Sequence, residues 1–392
     1  IVAEQLIDYA VSLPASDMFI DTDEKEVQVA LRFLGILRRV ARVELEIGRR
    51  LLNYFKAVAG MDPGQRLRPE DGRWVFTRQD GRKTDLRVNT TPGLYGETMA
   101  IRLLDRDQRL LQLEDLGMSA RDLGNVQSML PSSTGLILVT GPTGAGKTTT
   151  LYACIRRLNN GQRRICTIED PIEYSLSGVR QAQVNPRIGL DFPELLRSVL
   201  RQSADVILVG EIRDPVTAET AVLAAKSGQL VLATLHASTA SGAVDSMLSL
   251  GVHPYFLASG LSAVTTQRLV RTLCPHCKVP LDLSESPHTF DDVRHWLKPG
   301  QGRTIYTAAG CPKCHFEGHT GRTGVFEVLH VSRQIRRMIN ERATSREIRD
   351  QAVREGMMDV RREVLLKVAA GEVSIEEMMR AIPVEYLLPD DE

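Results

Sequence analysis

The sequence predicts an α/β fold: a parallel sheet covered by helices, preceded by an α+β domain and followed by a small cysteine module and a helical tail. Three observations carry this. Residues 141–148 read Gly-Pro-Thr-Gly-Ala-Gly-Lys-Thr and satisfy the phosphate-loop pattern G-x-x-x-x-G-K-[ST] at every fixed position. From about Leu116, short apolar runs alternate with helical spacing, the sign of parallel strands with both faces buried. Two Cys-x-x-Cys pairs, Cys274/Cys277 and Cys311/Cys314, lie about 33 residues apart.

The chain has 392 residues, 43% hydrophobic and 25% charged, which suits a globular protein of two or three domains. Its 49 basic and 49 acidic residues give a formal net charge of +0, which disfavours nucleic acid as a main partner. No run of about 18 apolar residues is present, so no membrane span is expected, and no signal peptide is visible. The first residue is Ile1, not Met, so we read the chain as a fragment whose native N-terminus lies outside it.

In the first hundred residues, apolar positions 2, 6, 7, 10 and 13 predict an amphipathic helix over 1–13. Residues 26–31 alternate as a half-buried strand does, and 51–58 predict a second helix. Asp71-Gly72 and Asp80-Gly81 are expected at turns or hairpin tips. Arg66, Arg68, Arg73, Arg82, Arg87 and Arg102 cluster here, and composition alone does not distinguish a ligand contact from a solvated surface. The α+β domain is expected over 1–104, with a linker at 105–115.

In the central segment, 116–272, strands are expected at 136–140, 164–168, 206–210 and 230–235. The phosphate loop follows the first of these and opens a helix marked by Leu151, Ile155 and Leu158, with Gly161 as its stop. This strand–loop–helix order is what the chemistry needs. Backbone N–H groups of Gly141, Pro142, Thr143, Gly144, Ala145 and Gly146 close round phosphates where an N–H exists, and the helix start adds positive dipole. Lys147 is expected to reach the β- and γ-phosphates and Thr148 to hold Mg²⁺, with Thr149 beside it. The second strand leads to Glu169, Asp170 and Glu173, an acidic turn on its own but apt beside a phosphate loop. The third ends at Glu211, placed as the second carboxylate of a phosphate-loop ATPase. The fourth ends at His236, a γ-phosphate or water contact in this setting and a structural residue in most others. Arg197 and Arg201, four apart, read either as surface charge or as cations coupling phosphate to a neighbour.

The two cysteine pairs give a four-thiolate zinc pattern, closed and therefore structural, with a redox pair or disulfides as alternatives. His276, His315 and His319 are spare ligands. The module is expected over 273–325 and a helical region over 326–392. In the latter, Thr344/Glu347 and Ser374/Glu377 are expected as capping boxes, with Met378, Met379 and Ile382 buried and 390–392 frayed.

Taken together, GPTGAGKTTTLY (141–152), TIEDPIEY (167–174), QVNPRIGLDF (183–192), LRSVLRQ (196–202), VILVGEIRD (206–214) and ATLHAS (233–238) resemble the secretion ATPase superfamily, specifically the assembly ATPases of type II secretion and type IV pili. ASDMFI (15–20), DGR (71–73), DLRV (85–88), GETMAIRLL (96–104) and the signature 321–328 extend the likeness over essentially the whole chain. The resemblance implies a RecA-like ATPase core after a PAS-like domain, closed into a homo-hexamer, with ATP and Mg²⁺ at the loop and Zn²⁺ in the cysteine module. It implies a cytoplasmic motor that powers pseudopilus assembly, docked to the inner membrane through platform and docking proteins, with an extreme N-terminal docking domain outside this chain. By position it assigns Glu169 and Glu173 to an aspartate box, Glu211 to Walker B, His236 to a histidine box, Arg73 and Arg87 to the γ-phosphate, and Arg197, Arg201 and Arg213 to the site or subunit interface. The chain departs from the pattern at Gln229, where the histidine box opens with His. It also departs at 202–205 and at Arg32-Phe33-Leu34-Gly35, which replaces Arg-x-Asp-Gly. Gln229 cannot carry a proton, so slow or altered turnover is expected. A pilus or DNA-uptake ATPase, a nucleotide-gated scaffold and a nucleic-acid motor are the alternatives.

Overall fold

A computed structural model describes residues 2–78, 80–105, 110–286 and 288–387. The expected fray at 390–392 lies outside them. Two compact units divide between Arg109 and Leu110, within the stretch expected to link them.

The first unit runs α1 (Val2–Ser12), β1 (Ala15–Thr22), β2 (Glu26–Phe33), β3 (Ile36–Glu44), α2 (Leu45–Val58), β4 (Glu70–Thr77), β5 (Lys83–Pro92) and β6 (Glu97–Asp105). The strands form an antiparallel sheet in the order β3-β2-β1-β6-β5-β4. Period-two alternation buries Met18, Ile20, Val27, Val29, Leu31, Leu86, Val88, Met99 and Ile101 in one core with Ile7, Leu51, Leu52 and Phe55 of the helices. Alternation also fixes the opposite face. There the register sets Arg73 opposite Arg87, Arg87 opposite Arg102, Arg102 opposite Asp17 and Asp17 opposite Arg32, a single rung across five strands.

Two sequence expectations change here. Asp71-Gly72 is no turn: both residues lie inside β4, paired with Asn89 and Val88. Glycine is needed there because a Cβ at residue 72 would sit 2.7 Å from the Ala59 carbonyl oxygen, where the chain leaving α2 crosses the strand. Asp80-Gly81 does form the hairpin tip, with Arg78 N–H donating to the Arg82 carbonyl. The second change is that α2 starts six residues earlier than the sequence pattern suggested. At the family's Arg-x-Asp-Gly position, Leu34 (φ 46°) and Gly35 (φ 89°) still turn the chain between β2 and β3.

The second unit runs α3 (Ala120–Met129), β7 (Gly135–Thr140), α4 (Lys147–Leu158), β8 (Ile165–Glu169), β9 (Arg180–Gln183), α5 (Phe192–Leu200), β10 (Val206–Val209), α6 (Pro215–Lys226), β11 (Leu230–Leu235), α7 (Ala240–Ser249), α8 (Pro254–Gly260), β12 (Leu261–Leu273), β13 (Val279–Asp282), β14 (Thr304–Thr307), β15 (His319–His330), α9 (Arg333–Asn340), α10 (Ser345–Arg354), α11 (Val360–Ala369) and α12 (Ile375–Ala381). Its sheet has the order β15-β12-β7-β11-β10-β8-β9, parallel except for β15. The residues of β7, β8, β10 and β11 are all buried, because each strand is covered on both faces. One core packs α5 to α10 against the sheet and the other packs α3 and α4.

The strand β15 crosses residue 325, where the sequence suggested a boundary, because its apolar half pairs with β12 in the main sheet. In the tail, Thr344 and Glu347 form the expected reciprocal cap. Ser374 caps the Glu377 N–H, but the Glu377 carboxylate turns instead to Arg271 and Arg380, so no box closes there. Ile382 is buried as expected, whereas Met379 is 60% exposed. No described helix is long and apolar enough to cross a membrane.

Glu363 on α11 is buried, and one of its oxygens has no hydrogen-bond donor. Burial, with Asp122 and Glu372 adding to it against Lys367, pushes its carboxyl up to about 7. The folded state therefore holds this proton more tightly than the unfolded chain, and stability from this group falls as pH rises from about 4.5 through 7. Glu363→Gln should leave the melting temperature nearly unchanged at pH 4 and raise stability at pH 8 by roughly 2–3 kcal/mol, measured by thermal denaturation at both pH values.

Candidate nucleotide site and four-cysteine centre

The phosphate loop leaves the carboxyl end of β7 and turns directly into α4. Three glycines make the turn possible: Gly141 (φ 137°), Gly144 (φ 77°) and Gly146 (φ 88°) all occupy the left-handed region. Gly141 has a second reason to be glycine, since a Cβ there would lie 2.3 Å from the Gln267 carbonyl oxygen of β12. Pro142, Thr143, Thr148 and Thr149 are exposed along the loop and the first turn of α4, and Ala145 is buried beneath. No acidic side chain occupies that first turn, so the dipole faces the loop uncompensated. Lys147 Nζ donates to the carbonyls of Gly141 (2.7 Å) and Pro142 (3.2 Å). Burial lowers the Lys147 pKa, and the charge of Glu211 opposes that shift.

Three neighbouring strands end beside one another. β10 leads to Glu211 and β11 to His236, and β11 lies between β10 and β7. Glu211 pairs with Arg213, and its Oε1 lies 2.7 Å from His236 Nε2 without hydrogen-bonding alignment. Burial opposes ionisation of Glu211, but Arg213, His236 and Lys147 outweigh it and hold the carboxyl below its ordinary value. So the structure brings the loop, Glu211, Arg213 and His236 together at one sheet edge, where open α/β sheets bind ligands.

Glu169 ends β8 but is turned into the protein. It is 3% exposed, and its oxygens accept from the Tyr152 hydroxyl, the Thr167 hydroxyl (2.5 Å) and Gln181 Nε2 (3.1 Å). Glu173 is half-buried further along the same loop. Arg197 and Arg201, at the end of α5, are exposed. Arg73 and Arg87 belong to the other unit. Arg73 grips Asp85 with two bonds (2.8 and 2.5 Å), and Arg87 stands beside it in the arginine rung.

Gln229 is placed away from this chemistry. It precedes β11, and its carbonyl accepts from Gly135 N–H at the first residue of β7. Six strand residues, about 20 Å, separate it from His236. The proton-transfer argument for altered turnover therefore does not apply at this position. Sequence reasoning missed Gln267 on β12, whose Nε2 donates 2.7 Å to the Ala145 carbonyl of the loop, and the hydroxyl pair Thr140–Thr266 (2.7 Å) beneath it. The available signal was Thr265-Thr266-Gln267-Arg268, four consecutive polar residues between the apolar pairs Ala263-Val264 and Leu269-Val270.

The four cysteines come together as expected. Cys274 follows β12 and Cys314 precedes β15, so the pairing of those strands closes the cluster. All four Sγ atoms lie within 4.8 Å of one another, with none disulfide-bonded. Separations of 3.9 Å (Cys274–Cys311), 3.8 Å (Cys277–Cys314) and 3.8 Å (Cys311–Cys314) match the edge of about 3.8 Å that a tetrahedron with 2.3 Å metal–sulfur bonds requires. Backbone N–H groups of Gly310, Cys311 and Gly318 point at the sulfurs. Burial resists ionisation of Cys314, but the N–H groups of Cys311 and Gly318 outweigh it and bring the thiol down to about 7. Among the described residues no histidine joins the cluster: His319 is instead bonded to the Glu317 carbonyl. The donor set fits a resident four-thiolate metal.

Residues 1–380 match the family model described as Type II/IV secretion system protein. The type II secretion system ATPase E of Vibrio cholerae is 41% identical over 371 residues, covering 95% of this chain and 73% of that protein. The type II secretion system protein E of Dickeya dadantii is 40% identical over 375 residues, covering 95% and 73%. The solved ATPase DotB of Legionella pneumophila matches at 20% identity with a TM-score of 0.69, over 96% of this chain and 94% of that one, which shows the fold. The chain belongs to the Type II/IV secretion system protein family and is a secretion motor ATPase.

Proposed function

We propose that this chain is a Mg-dependent ATPase subunit of a homo-hexameric, cytoplasmic motor that drives pseudopilus assembly through inner-membrane platform and docking proteins. The observation that carries the reading is the convergence of the phosphate loop, Glu211, Arg213 and His236 from three adjacent strands. The type II relatives favour secretion over a pilus or DNA-uptake role.

ATP enters a loop whose lysine rests on two backbone carbonyls. Phosphate oxygens replace those carbonyls as acceptors for Lys147, and loop N–H groups bind the β- and γ-phosphates. Thr148 would hold Mg²⁺, which supplies charge neutralisation on the phosphates when bound. Glu211, kept ionised against burial by Arg213, His236 and Lys147, orients the attacking water. Arg213 is exposed and can swing from Glu211 to the developing γ-phosphate charge. Glu169 and Glu173 shape the neighbouring loop, and Glu169 does so from inside. The register aligns Arg73, Arg87 and Arg102 in one row, which supports a role for Arg73 and Arg87 in meeting an anion. Arg197 and Arg201, exposed at the end of α5, would meet an adjacent subunit. Cys274, Cys277, Cys311 and Cys314 would hold Zn²⁺, a closed structural site with no open coordination position.

The two glutamates should separate by assay. Glu211→Gln should keep nucleotide binding and thermal stability while lowering turnover about 10²-fold or more, and Lys147→Ala should abolish it. Glu169→Gln sets an amide donor among three donors and should cost about 1–3 kcal/mol of stability, read by denaturant titration. Unchanged turnover in Glu211→Gln would remove its role.

Cys311→Ser should lower zinc content and melting temperature together, measured by elemental analysis and calorimetry; a metal-free protein of full stability would refute the structural site. Turnover should rise with hexamer mass when both are followed against protein concentration. An assembled ring that binds ATP without turnover would move the reading to a nucleotide-gated scaffold.

A further inference from the structure

We infer that Gln267 of β12 is a positioning residue of the nucleotide site that fixes which way the phosphate loop presents its backbone. The inference rests on the reading of residues 141–148 as the nucleotide-binding loop. β12 pairs in parallel with β7 up to Thr266, opposite Thr140, and then runs on beneath the loop. Gln267 is therefore the first β12 residue past the end of β7. It is 1% exposed, and its Nε2 donates to the Ala145 carbonyl at 2.7 Å. The loop sits directly on it: a Cβ at Gly141 would be 2.3 Å from its carbonyl oxygen, and one at Gly146 would be 3.2 Å from its Nε2.

A trans peptide points its C=O and the following N–H in opposite directions. Holding the Ala145 carbonyl inward on Gln267 therefore aims the Gly146 N–H outward, to the side from which phosphate approaches. Gly146 has φ 88° and no side chain to resist rotation of that peptide, so the orientation needs an external tie. The carboxamide oxygen supplies the second observation. Gln267 Oε1 is buried with no donor, an arrangement that folding alone disfavours. A methionine of similar shape would fill the space without an orphaned acceptor. The donor atom aimed at Ala145 explains why glutamine is there.

The test is ADP affinity and thermal stability of the full chain, wild type against Gln267→Met and Gln267→Glu. A positioning role predicts an ADP Kd raised about fivefold to tenfold in Gln267→Met, with KM for ATP rising in step, kcat at saturation changed less than twofold, and no loss of nucleotide-free melting temperature. Gln267→Glu keeps the shape but cannot donate once ionised, so at pH 8 its Kd should rise at least as far. Wild-type affinity in both variants overturns the inference. So does a lower melting temperature or a failure to fold in Gln267→Met with undiminished ADP affinity in Gln267→Glu, since that is the signature of packing alone. A wild-type chain that binds no ADP would instead sink the nucleotide-site reading on which the inference stands.

Discussion

The catalytic unit depends on the pairing of β12 with its two neighbours. On one side β12 runs parallel to β7 and ends that pairing at Thr266, where the two hydroxyls of Thr140 and Thr266 meet. On the other it runs antiparallel to β15 from Ala263 to Leu273. Because β12 is 13 residues long and β7 only six, its second half extends past the sheet edge on which the phosphate loop sits. That overhang does two things. Its start, at Gln267 and Leu269, is the floor against which Gly141 and Gly146 pack. Its end delivers Cys274, and the returning β15 begins just after Cys314. A slip of one residue in this register would turn Gln267 away from the loop.

The parts legible in the sequence were those set by local chemistry. A phosphate loop is a contiguous string with backbone demands that only certain residues meet, so its glycines declare it. Buried parallel strands announce themselves as unbroken apolar runs, and β7, β10 and β11 fell within a residue of their expected positions. Cysteine pairs bind through spacing that the chain itself carries. What stayed hidden was set by distant partners. Asp71-Gly72 carries the composition of a turn, yet its glycine answers to a crossing backbone at Ala59. Ser374 and Glu377 have capping-box spacing, yet two arginines, one from β12, compete for the carboxylate and win because a charged pair outweighs a single N–H. Glu169 has the position of a catalytic acid, and only its three donors show that it faces inward.

The electrostatics of the two glutamates show how one sheet edge can hold carboxylates for different purposes. Both end neighbouring parallel strands, β8 and β10, and both are largely shielded from solvent. Glu169 is met by neutral hydroxyl and amide donors from within its own unit, which occupy both oxygens and leave no face for a ligand. Glu211 is met by Arg213, His236 and the field of Lys147, all at or next to the loop. The partners of Glu211 are exposed where those of Glu169 are packed: the Arg213 side chain is 64% exposed and that of His236 55%. Exposed partners suit the water-orienting role proposed for Glu211, and buried donors tie Glu169 to its own strand end.

The first unit lines up positive charge through its strand register. Across the rung, Asp85 holds Arg73, and Asp17 lies within ion-pair distance of both Arg102 and Arg32. Adjacent strands lie about 4.8 Å apart, close enough for guanidinium groups in register to repel. Hydrophobic burial on the other face of the sheet, through Met18, Leu86, Met99 and Ile101, is strong enough to impose this arrangement, because the register that buries those side chains also aligns the arginines.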